Sequence, residues 1–482
     1  MTTYRILFCA SEVYPLIKTG GLADVAGSLP HALNKAGHDI RIVLPAYQSV
    51  LASLKRPAKR LVETRIYDYA VSISQTTLPG TRVPVWLIGC PELFDRPGNP
   101  YLAEDGQPWS DNAIRFSLFN RAIVSLALNR CGLQWQPHLV HCNDWQTGLV
   151  PALLDYEPKR PALVFTIHNL AYQGSFDRHT FEQLQLPESL WHYEQLEYYN
   201  QFCFIKGGLV FSDRINTVSP HYAEEIQTAH FGNGMEGLLQ HRQIRLNGIL
   251  NGIDTKIWNP GTDTLLAHKF NRQHIIHKQD NKKALQAYFG FPAKNDTLLL
   301  AMVTRLAEQK GIDMVLSILP QLIKRPVQLV VLGSGQQDYE KALADAAKTW
   351  PEQIRVHLGY DEKLAHLIEG GADVFVMPSR FEPCGLNQMY SQRYGTLPLV
   401  TPVGGLFDTV IDNKTGFVMP QVSDTALLET IDRCLTDYSN KSKWAGMIKM
   451  AMQQDFSWRK SAEAYNQLYE QAIRDNPKPV ER

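Results

Sequence analysis

The stretch that decides the fold reads Ser379-Arg380-Phe381-Glu382-Pro383-Cys384-Gly385-Leu386-Asn387-Gln388. It follows a short apolar run, Asp373-Val374-Phe375-Val376-Met377, and opens a segment of helical pattern over residues 386 to 394. The run predicts a buried strand. Ligands of parallel α/β sheets bind where strands end and helices begin. The stretch therefore predicts a ligand-binding turn, although a surface loop in which Glu382 and Cys384 have no function fits the pattern equally well.

The same strand-and-turn arrangement recurs through the first half of the chain. A strand-like run, Ile6-Leu7-Phe8-Cys9-Ala10, is followed by Lys18-Thr19-Gly20-Gly21 and then by apolar residues at helical spacing. Paired glycines let a ligand approach the backbone closely, and a lysine adds a mobile cation. Later strands end in Asn143-Asp144, His168-Asn169 and Ser219-Pro220. Parallel strands present their carboxyl ends at one edge of the sheet, so we expect these polar residues to gather there.

The pattern of strands and helices changes at two places. Alternating polar and apolar residues between positions 61 and 90 predict an antiparallel extension of the first sheet. Residues 245 to 262 interrupt the alternation of strands and helices, and we interpret this segment as a domain junction. The alternation then resumes, and one strand leads into Thr304-Arg305 and Gln309-Lys310-Gly311. The sequence therefore predicts two doubly wound α/β domains, with a boundary at residues 245 and 246.

Composition excludes several classes of protein. A chain of 482 residues is too long for one core, and its 44% apolar and 20% charged residues are typical of a globular protein. Lys+Arg and Asp+Glu both number 48, so neither nucleic-acid nor membrane binding is indicated. Seven cysteines without C-x-x-C spacing indicate neither a disulfide framework nor a zinc site. We see no signal segment and no membrane-length apolar run, and we expect a cytoplasmic location.

The motifs that are present and absent limit the kinds of reaction that the chain could catalyse. Gly333-Ser334-Gly335 resembles the start of a dinucleotide fingerprint, but Asp338 stands where its third glycine belongs. The chain has no P-loop, no G-x-S-x-G, no Asp-x-Asp and no H-E-x-x-H, so no metal site is evident. What remains at strand ends is a set of cations and carboxylates: Lys18, Arg305, Lys310, Asp144 and Glu382. Without a metal, a diphosphate leaving group needs such cations and helix N-termini to hold its charge.

Several motifs together resemble bacterial glycogen synthases and plant starch synthases. They are the segments at residues 18–25, 143–145, 168–174, 304–311 and 379–386. The resemblance covers nearly the whole chain and implies the GT-B fold, in which two Rossmann-like domains face each other across a deep cleft. It places the acceptor glucan on domain 1–245 and the donor on domain 246–455. It also implies a C-terminal helix, within 456–482, that returns to the first domain.

The resemblance also implies an activity. Members of this family transfer glucose, with retention of configuration, from a nucleotide sugar to the non-reducing end of an α-1,4-glucan. For a bacterial type of sequence we expect ADP-glucose as donor, with glycogen or a maltooligosaccharide as acceptor. We expect no metal and no other cofactor, and neither nucleic acid nor membrane as a partner. The sequence leaves the oligomeric state open.

Residue roles follow from the same resemblance. Arg305 and Lys310 would neutralise the departing diphosphate, helped by backbone N–H groups at Gly20, Gly21, Gly385 and Leu386. Glu382 would hold hydroxyls of the transferred glucose, and the backbone carbonyl of His168 would face the anomeric carbon. The remaining predicted site residues line the sugar pocket, the acceptor side or the donor phosphates: Asp144, Asn169, Asp24, Lys18, Tyr101, Asn251, Cys384 and Asn387. A front-face mechanism is expected, because the family has no well-placed nucleophile.

The chain departs from the family pattern at two places. Asn387 stands where the family usually has threonine. Pro402-Val403 replace an arginine and a small hydroxyl residue, and Phe407 replaces a smaller residue. Because these positions are expected near the donor, two alternatives stay open. One is a GT-B transferase with another nucleotide sugar or acceptor, and the other is a glucan-binding paralogue with weak turnover.

Overall fold

The computed structural model describes residues 2–292, 294 and 296–479. Six residues inside the predicted domain ranges lie outside this described part: Met1, Ala293, Asn295, Val480, Glu481 and Arg482. The chain divides into two compact units. Unit 1 contains the residues up to Gly252 and those from Trp458 onward, and unit 2 is Ile253–Ser457.

Unit 1 is built on a large mixed sheet. Its strands are β1 (Arg5–Cys9), β2 (Asp39–Pro45), β3 (Lys59–Ile66), β4 (Tyr69–Thr77), β5 (Pro84–Gly89), β6 (Leu139–Asn143), β7 (Ala162–Ile167), β8 (Ser175–Phe176), β9 (Glu197–Tyr198), β10 (Gln201–Cys203), β11 (Arg214–Thr217) and β12 (Leu246–Gly248). In the described part, nine of them form one sheet in the order β12-β11-β7-β6-β1-β2-β5-β4-β3, and β8, β10 and β9 form a small second sheet. The predicted antiparallel extension is confirmed at β4 and β3, whereas β5 pairs in parallel with β2.

The helices of unit 1 cover this sheet. They are α1 (Gly21–Lys35), α2 (Gln48–Ser53), α3 (Pro91–Phe94), α4 (Asn112–Ala127), α5 (Leu149–Asp155), α6 (Arg178–Gln183), α7 (Phe204–Phe211), α8 (Pro220–Glu225) and α9 (Glu236–His241). The apolar residues of α1 recur every three or four positions, and Leu22, Val25, Leu29 and Leu33 are all buried. Strands β1 and β6 are neighbours although they are far apart in the chain. The sheet therefore has a topological switch point between them, where ligands of such folds bind.

Unit 2 contains a fully parallel sheet. Its strands are β13 (Leu298–Val303), β14 (Val327–Gly333), β15 (Ile354–Leu358), β16 (Val374–Met377), β17 (Leu397–Val400) and β18 (Phe417–Val418), in the order β15-β14-β13-β16-β17-β18. Leu298 and Leu300 of β13 belong to one apolar core, whereas Leu299 and Ala301 belong to another. Successive side chains of a strand point to opposite faces, so both faces of this sheet are covered. The predicted doubly wound α/β class is confirmed.

Helices pack on both faces of the unit 2 sheet. They are α10 (His277–Tyr288), α11 (Ile312–Leu322), α12 (Gln337–Thr349), α13 (Glu362–Gly371), α14 (Asn387–Arg393), α15 (Gly404–Thr409), α16 (Asp424–Ser439) and α17 (Lys441–Ala451). From β13 the chain proceeds to β14 and β15 on one side and then returns to β16 on the other. The switch point of unit 2 therefore lies between β13 and β16, just before the stretch at residues 379–388.

The last helix, α18 (Trp458–Asp475), belongs to unit 1, as predicted for the fold. The hydroxyl of Tyr469 lies 2.8 Å from Nδ1 of His141 on β6, and the amide of Asn216 on β11 donates to the hydroxyl of Tyr465. These buried contacts fix α18 against the strands of the large sheet. Among the described residues, no helix combines the length and the apolar character that a membrane crossing requires.

Candidate active site

A cavity of about 200 Å³ opens at the switch point of unit 2. It lies at the carboxyl ends of β13 and β16, because residues that end these strands or directly follow them form its walls. The lining residues are Met302, Val303, Thr304, Arg305, Lys310, Val376, Met377, Ser379, Glu382, Gly385, Leu386 and Asn387. Six of the predicted site residues are in this set, so the fold brings them together within one unit.

An ion pair between Lys310 and Glu382 occupies one wall of the cavity. Gly311 has a φ of 70°, and a Cβ there would lie 2.2 Å from the carbonyl oxygen of Pro378, so the two loops can touch only because this residue is glycine. The side chains of the pair are 16% and 10% exposed. The hydroxyl of Ser379 donates to the same carboxylate oxygen at 3.1 Å. The pair is therefore largely shielded from water, which strengthens its electrostatic interaction.

Helix α15 holds the loop that carries Glu382. The backbone N–H of Gly405 donates to the carbonyl oxygen of Glu382 at 3.1 Å. A Cβ at Gly405 would lie 2.2 Å from the carbonyl oxygen of Cys384, so the close approach requires glycine. Cys384 is buried and does not line the cavity. The Gly404-Gly405 pair thus shapes the loop from outside the cavity.

Arg305 and Asn387 differ in how they are held. Arg305 is exposed, and its guanidinium makes no hydrogen bond or ion pair with another described residue, so it is available to an anion. The amide of Asn387 donates to the carbonyl oxygen of Val303 at 2.7 Å and thereby joins the start of α14 to the end of β13.

Pro402, Val403 and Phe407 are absent from the cavity wall, and Phe407 lines a second, larger recess of about 610 Å³.

A buried carboxylate that the motif analysis did not select, Glu12, organises the corresponding region of unit 1. It accepts hydrogen bonds from the backbone N–H and the hydroxyl of Thr19, from the N–H of Gly20 at 3.1 Å and from the hydroxyl of Tyr101 at 2.5 Å. The hydroxyl of Tyr101 also lies 2.8 Å from Oγ of Ser11. The N–H of Gly20 is therefore already paired, contrary to the expectation that it is available to the diphosphate. The sequence signal for Glu12 was its place in the turn that follows β1, at the same edge of the sheet as Asp144, which directly follows β6.

Lys18 and Asp24 form a more exposed ion pair beside this cluster. Their charged atoms are 2.8 Å apart, and the side chains are 45% and 21% exposed. Burial raises the pKa of Asp24, whereas the nearby Lys18 ammonium lowers it. Lys18 is therefore partnered by an acid from the first turn of α1, the helix that begins at the second glycine of the pair.

Asp144 is held by backbone donors at the switch point of unit 1. Its φ of 56° is unusual for a residue other than glycine, and its Oδ1 accepts the N–H of His168 at 2.7 Å and that of Asn169 at 3.4 Å. Burial raises the pKa of Asp144 to about 7, although these two hydrogen bonds act in the opposite direction. This carboxyl can therefore exchange a proton near neutral pH.

His168 is neutral in this environment. Burial lowers the pKa of His168 to about 3, and its Nε2 lies 2.9 Å from Oδ1 of Asn143. Asn143, which the motif analysis did not select as a site residue, also donates its amide to the carbonyl oxygen of Cys9 at 2.9 Å. That contact assigns Oδ1 as the acceptor and Nε2–H of His168 as the donor. The ends of β1, β6 and β7 are thus tied together by side chains.

The other two predicted residues of unit 1 lie in loops. The Asn169 side-chain oxygen accepts the N–H of Ala171 at 3.0 Å, which fixes the turn after β7. Asn251 is buried, and its Oδ1 has no hydrogen-bond partner among the described residues. Across the described ranges 2–292, 294 and 296–479, no three His, Cys, Asp or Glu side chains are grouped so that they could hold a metal ion.

Comparisons with known proteins agree with this architecture. Residues 5–241 match the starch synthase catalytic domain family, and residues 286–449 match the glycosyl transferases group 1 family. The chain is 53% identical to glycogen synthase 1 of Methylococcus capsulatus over 97% of both chains. It is also 53% identical to glycogen synthase of Cellvibrio japonicus, over 97% of this chain and 99% of that protein.

Solved structures give the same picture of the fold. The catalytic domain of starch synthase IV from Arabidopsis thaliana, bound to ADP and acarbose, matches with a TM-score of 0.87 and 32% identity. The match covers 98% of this chain and all of that one. Sucrose-phosphate synthase from Thermosynechococcus elongatus matches with a TM-score of 0.61 at 18% identity, over 98% of this chain and all of that one, which bears on the fold alone.

Proposed function

Because the chain belongs to the family of glycogen synthases and starch synthases, which are glycosyltransferases, we propose that it transfers glucose from ADP-glucose to the non-reducing end of an α-1,4-glucan. A relative of 32% identity has been solved with ADP and acarbose bound, which supports both the nucleotide and the glucan. The observation that carries the proposal is the unit 2 cavity, which is lined by a shielded Lys310–Glu382 pair and by Arg305, whose guanidinium has no partner among the described residues.

The cations of unit 2 act on the leaving group. When the bond from the anomeric carbon to the diphosphate breaks, negative charge grows on the diphosphate oxygens. Arg305 and Lys310 stabilise that charge, and a charge-assisted contact to a phosphate is stronger than a neutral hydrogen bond. The guanidinium of Arg305 has no partner within the described ranges and can turn to the diphosphate, whereas Lys310 is already oriented by Glu382. Glu382 accepts hydrogen bonds from hydroxyls of the glucose with the oxygen that Lys310 leaves open.

Retention of configuration follows from a front-face displacement. The acceptor hydroxyl oxygen bonds to the anomeric carbon on the face that the diphosphate leaves, and its proton passes to a diphosphate oxygen. No covalent bond to the protein forms in this scheme. The backbone carbonyl of His168 stabilises the positive charge that develops at the anomeric carbon, while the neutral imidazole stays fixed by Asn143.

The remaining residues of unit 1 bind sugar hydroxyls. Asp144 and Asn169 line the glucose pocket, while Asp24, Lys18 and Tyr101 contact the glucan. Carboxylates and amides suit this task because each accepts or donates several hydrogen bonds in a fixed direction. Charge on the leaving group is stabilised by groups of the protein itself in this scheme, so the reaction needs no metal ion.

The test follows nucleotide release from ADP-glucose and from UDP-glucose, each with and without glycogen. We expect ADP release to depend on glycogen and to exceed UDP release. Equal or reversed rates would contradict the donor assignment, and release without glycogen would contradict the acceptor. A second arm adds excess chelator, which should leave the rate unchanged; a loss restored by Mg²⁺ or Mn²⁺ would refute metal independence.

A further inference from the structure

Three aromatic rings form a parallel stack in unit 2, and one of them belongs to α14, the helix whose first residue lines the cavity. The ring of Trp258 lies between those of His366 and Tyr390, with centroid distances of 4.1 and 3.9 Å and interplanar angles of 8° and 12°. Trp258 comes from the irregular segment that opens unit 2, His366 from α13 and Tyr390 from α14. We call these three residues the Trp258 stack.

A buried carboxylate fixes the stack from one side. Oδ2 of Asp263 lies 2.7 Å from Nδ1 of His366 and accepts the hydroxyl of Tyr394 at 2.6 Å. Its other oxygen accepts the backbone N–H of Leu265 at 2.8 Å. These contacts leave the imidazole of His366 little freedom to rotate. Trp258 therefore rests against a rigid ring on one face and against α14 on the other.

One buried polar atom of the stack lowers the stability of the folded protein. Nε2 of His366 is buried and has no hydrogen-bond partner among the described residues. An unpaired buried donor or acceptor is unfavourable, and an apolar side chain of similar size would avoid that cost. A flat ring at this position instead offers a surface on which the indole of Trp258 can lie.

Helix α14 connects the stack to the cavity. Tyr390 lies one turn after Asn387, which lines the cavity and donates its amide to the carbonyl oxygen of Val303. The side-chain amide of Gln388 donates to the carbonyl oxygens of Cys384 and Gly385, each at 3.0 Å. A movement of α14 therefore moves the part of the cavity wall formed by Gly385, Leu386 and Asn387.

We propose that Trp258 is a positioning residue for glucosyl transfer, which acts through Tyr390 and α14 on the wall of the cavity. The role rests on the proposed function of that cavity. Trp258 is not among the residues that line the cavity, but it packs on the helix whose first residues shape the wall. Displacements of about 1 Å at a reacting centre can cost on the order of a hundredfold in rate. Loss of the stack should therefore slow the reaction more than it weakens binding.

The experiment compares three variants of the full chain. Trp258→Leu removes the stack and keeps an apolar side chain, and Trp258→Phe keeps an aromatic ring against His366 and Tyr390. The control is Trp350→Leu, because Trp350 is also half-buried and packs on the same core, but at the end of α12. The measurements are kcat and KM for ADP-glucose with glycogen, the melting temperature, and hydrogen exchange of a peptide that covers α14.

We expect Trp258→Leu to lower kcat more than about tenfold with less than about a threefold change in KM, and to speed amide exchange in α14. Trp258→Phe should recover at least about a third of kcat, and Trp350→Leu should change neither kcat nor α14 exchange at a similar loss of melting temperature. Unchanged exchange in α14, or equal effects of the two leucine variants on kcat, would overturn the proposal. If the wild-type chain does not use ADP-glucose, the proposed function fails, while the exchange measurement still decides whether Trp258 holds α14.

Discussion

In both units carboxylates lie at the carboxyl-end edge of a sheet, but the groups that pair with them differ. In unit 2, Glu382 is paired with the Lys310 ammonium. In unit 1, Glu12 and Asp144 accept hydrogen bonds only from backbone N–H groups and hydroxyls, as far as the described residues are concerned. A cation balances the charge of a buried acid, whereas an acid without a cation stays negative or is driven by burial to bind a proton, as at Asp144. The unit 2 edge is therefore suited to an anionic leaving group, and the unit 1 edge to hydroxyl groups of sugars.

The largest effect that this comparison predicts is that of Lys310→Ala. Loss of a cation that stabilises charge in the transition state should lower kcat about a hundredfold or more, corresponding to roughly 3 kcal/mol, with a smaller change in KM. The measurement is steady-state kinetics with ADP-glucose and glycogen. Lys348→Ala, at a lysine of the same unit that is 77% exposed, is the control and should be silent. Near-normal kcat, or a defect confined to stability, would contradict the role of Lys310.

Arg305→Ala should reduce kcat nearly as much, on the order of a hundredfold. Unlike Lys310, Arg305 forms no ion pair with another residue of the described part, so the melting temperature of this variant should stay within about a degree of the wild type. Kinetics and thermal unfolding of the same preparation check both parts. A clear loss of melting temperature without a loss of kcat would mean that Arg305 supports the fold and not the reaction.

Glu382→Ala and Cys384→Ser separate a functional acid from a structural thiol two residues away. Glu382→Ala should be severe, because it removes the contact to the sugar and the partner that orients Lys310. Cys384→Ser should be milder, because the thiol is buried behind the cavity and has no step to perform. Parallel measurement of kcat for both variants decides the matter. Equal damage would indicate that the thiol takes part in the chemistry.

For unit 1, the pH dependence of the free energy of unfolding tests whether Asp144, which has no cation beside it among the described residues, binds a proton in the folded protein. Burial raises the pKa of Asp144 from its ordinary value of 3.8 to about 7, so the folded protein binds a proton in this range that the unfolded chain does not. Stability from this group is fully present below pH 4, falls by about 1.4 kcal/mol per pH unit as the pH rises, and is constant above pH 7. Asp144→Asn should remove this slope.

The measurement is the urea midpoint of unfolding between pH 4.5 and 7.5. The gain of Asp144→Asn over the wild type should grow as the pH rises, and Asp68→Asn, at an exposed aspartate of unit 1, should show no such trend. Parallel curves for Asp144→Asn and wild type would show that Asp144 does not carry the proton.

The smallest effect is expected for Asn387→Thr. The amide of Asn387 joins α14 to the end of β13, and a threonine hydroxyl can make a similar contact with a slightly shorter reach. The rates with ADP-glucose and UDP-glucose should each change by less than about threefold. A larger change, or a switch of donor, would identify Asn387 as a specificity residue of the cavity.

Local sequence was sufficient for strands β13 to β17 and for the grouping of residues at the cavity of unit 2. Short apolar runs followed by polar turns predicted β13 and β16, and parallel strands must present their carboxyl ends at one edge, so Arg305, Lys310 and Glu382 were expected together. The glycines at 311, 385 and 405 are visible in the sequence as well. The close contacts that require glycine at these positions, with Pro378, Gln388 and Cys384 respectively, are visible only in the fold.

Only the tertiary structure decided which hydrogen-bond and ion-pair partners each polar or charged group has. Nothing near Glu12 in the chain indicates that the hydroxyl of Tyr101, 89 positions away, donates to it, or that the N–H of Gly20 also donates to Glu12. The pairing of Asn143 with His168 and the Trp258 stack likewise join residues from distant segments. The periodicity of a sequence records which face of an element is buried, because burial acts on each residue separately. Hydrogen-bond partners and pKa shifts depend on which elements meet, and that is determined only when the whole chain packs.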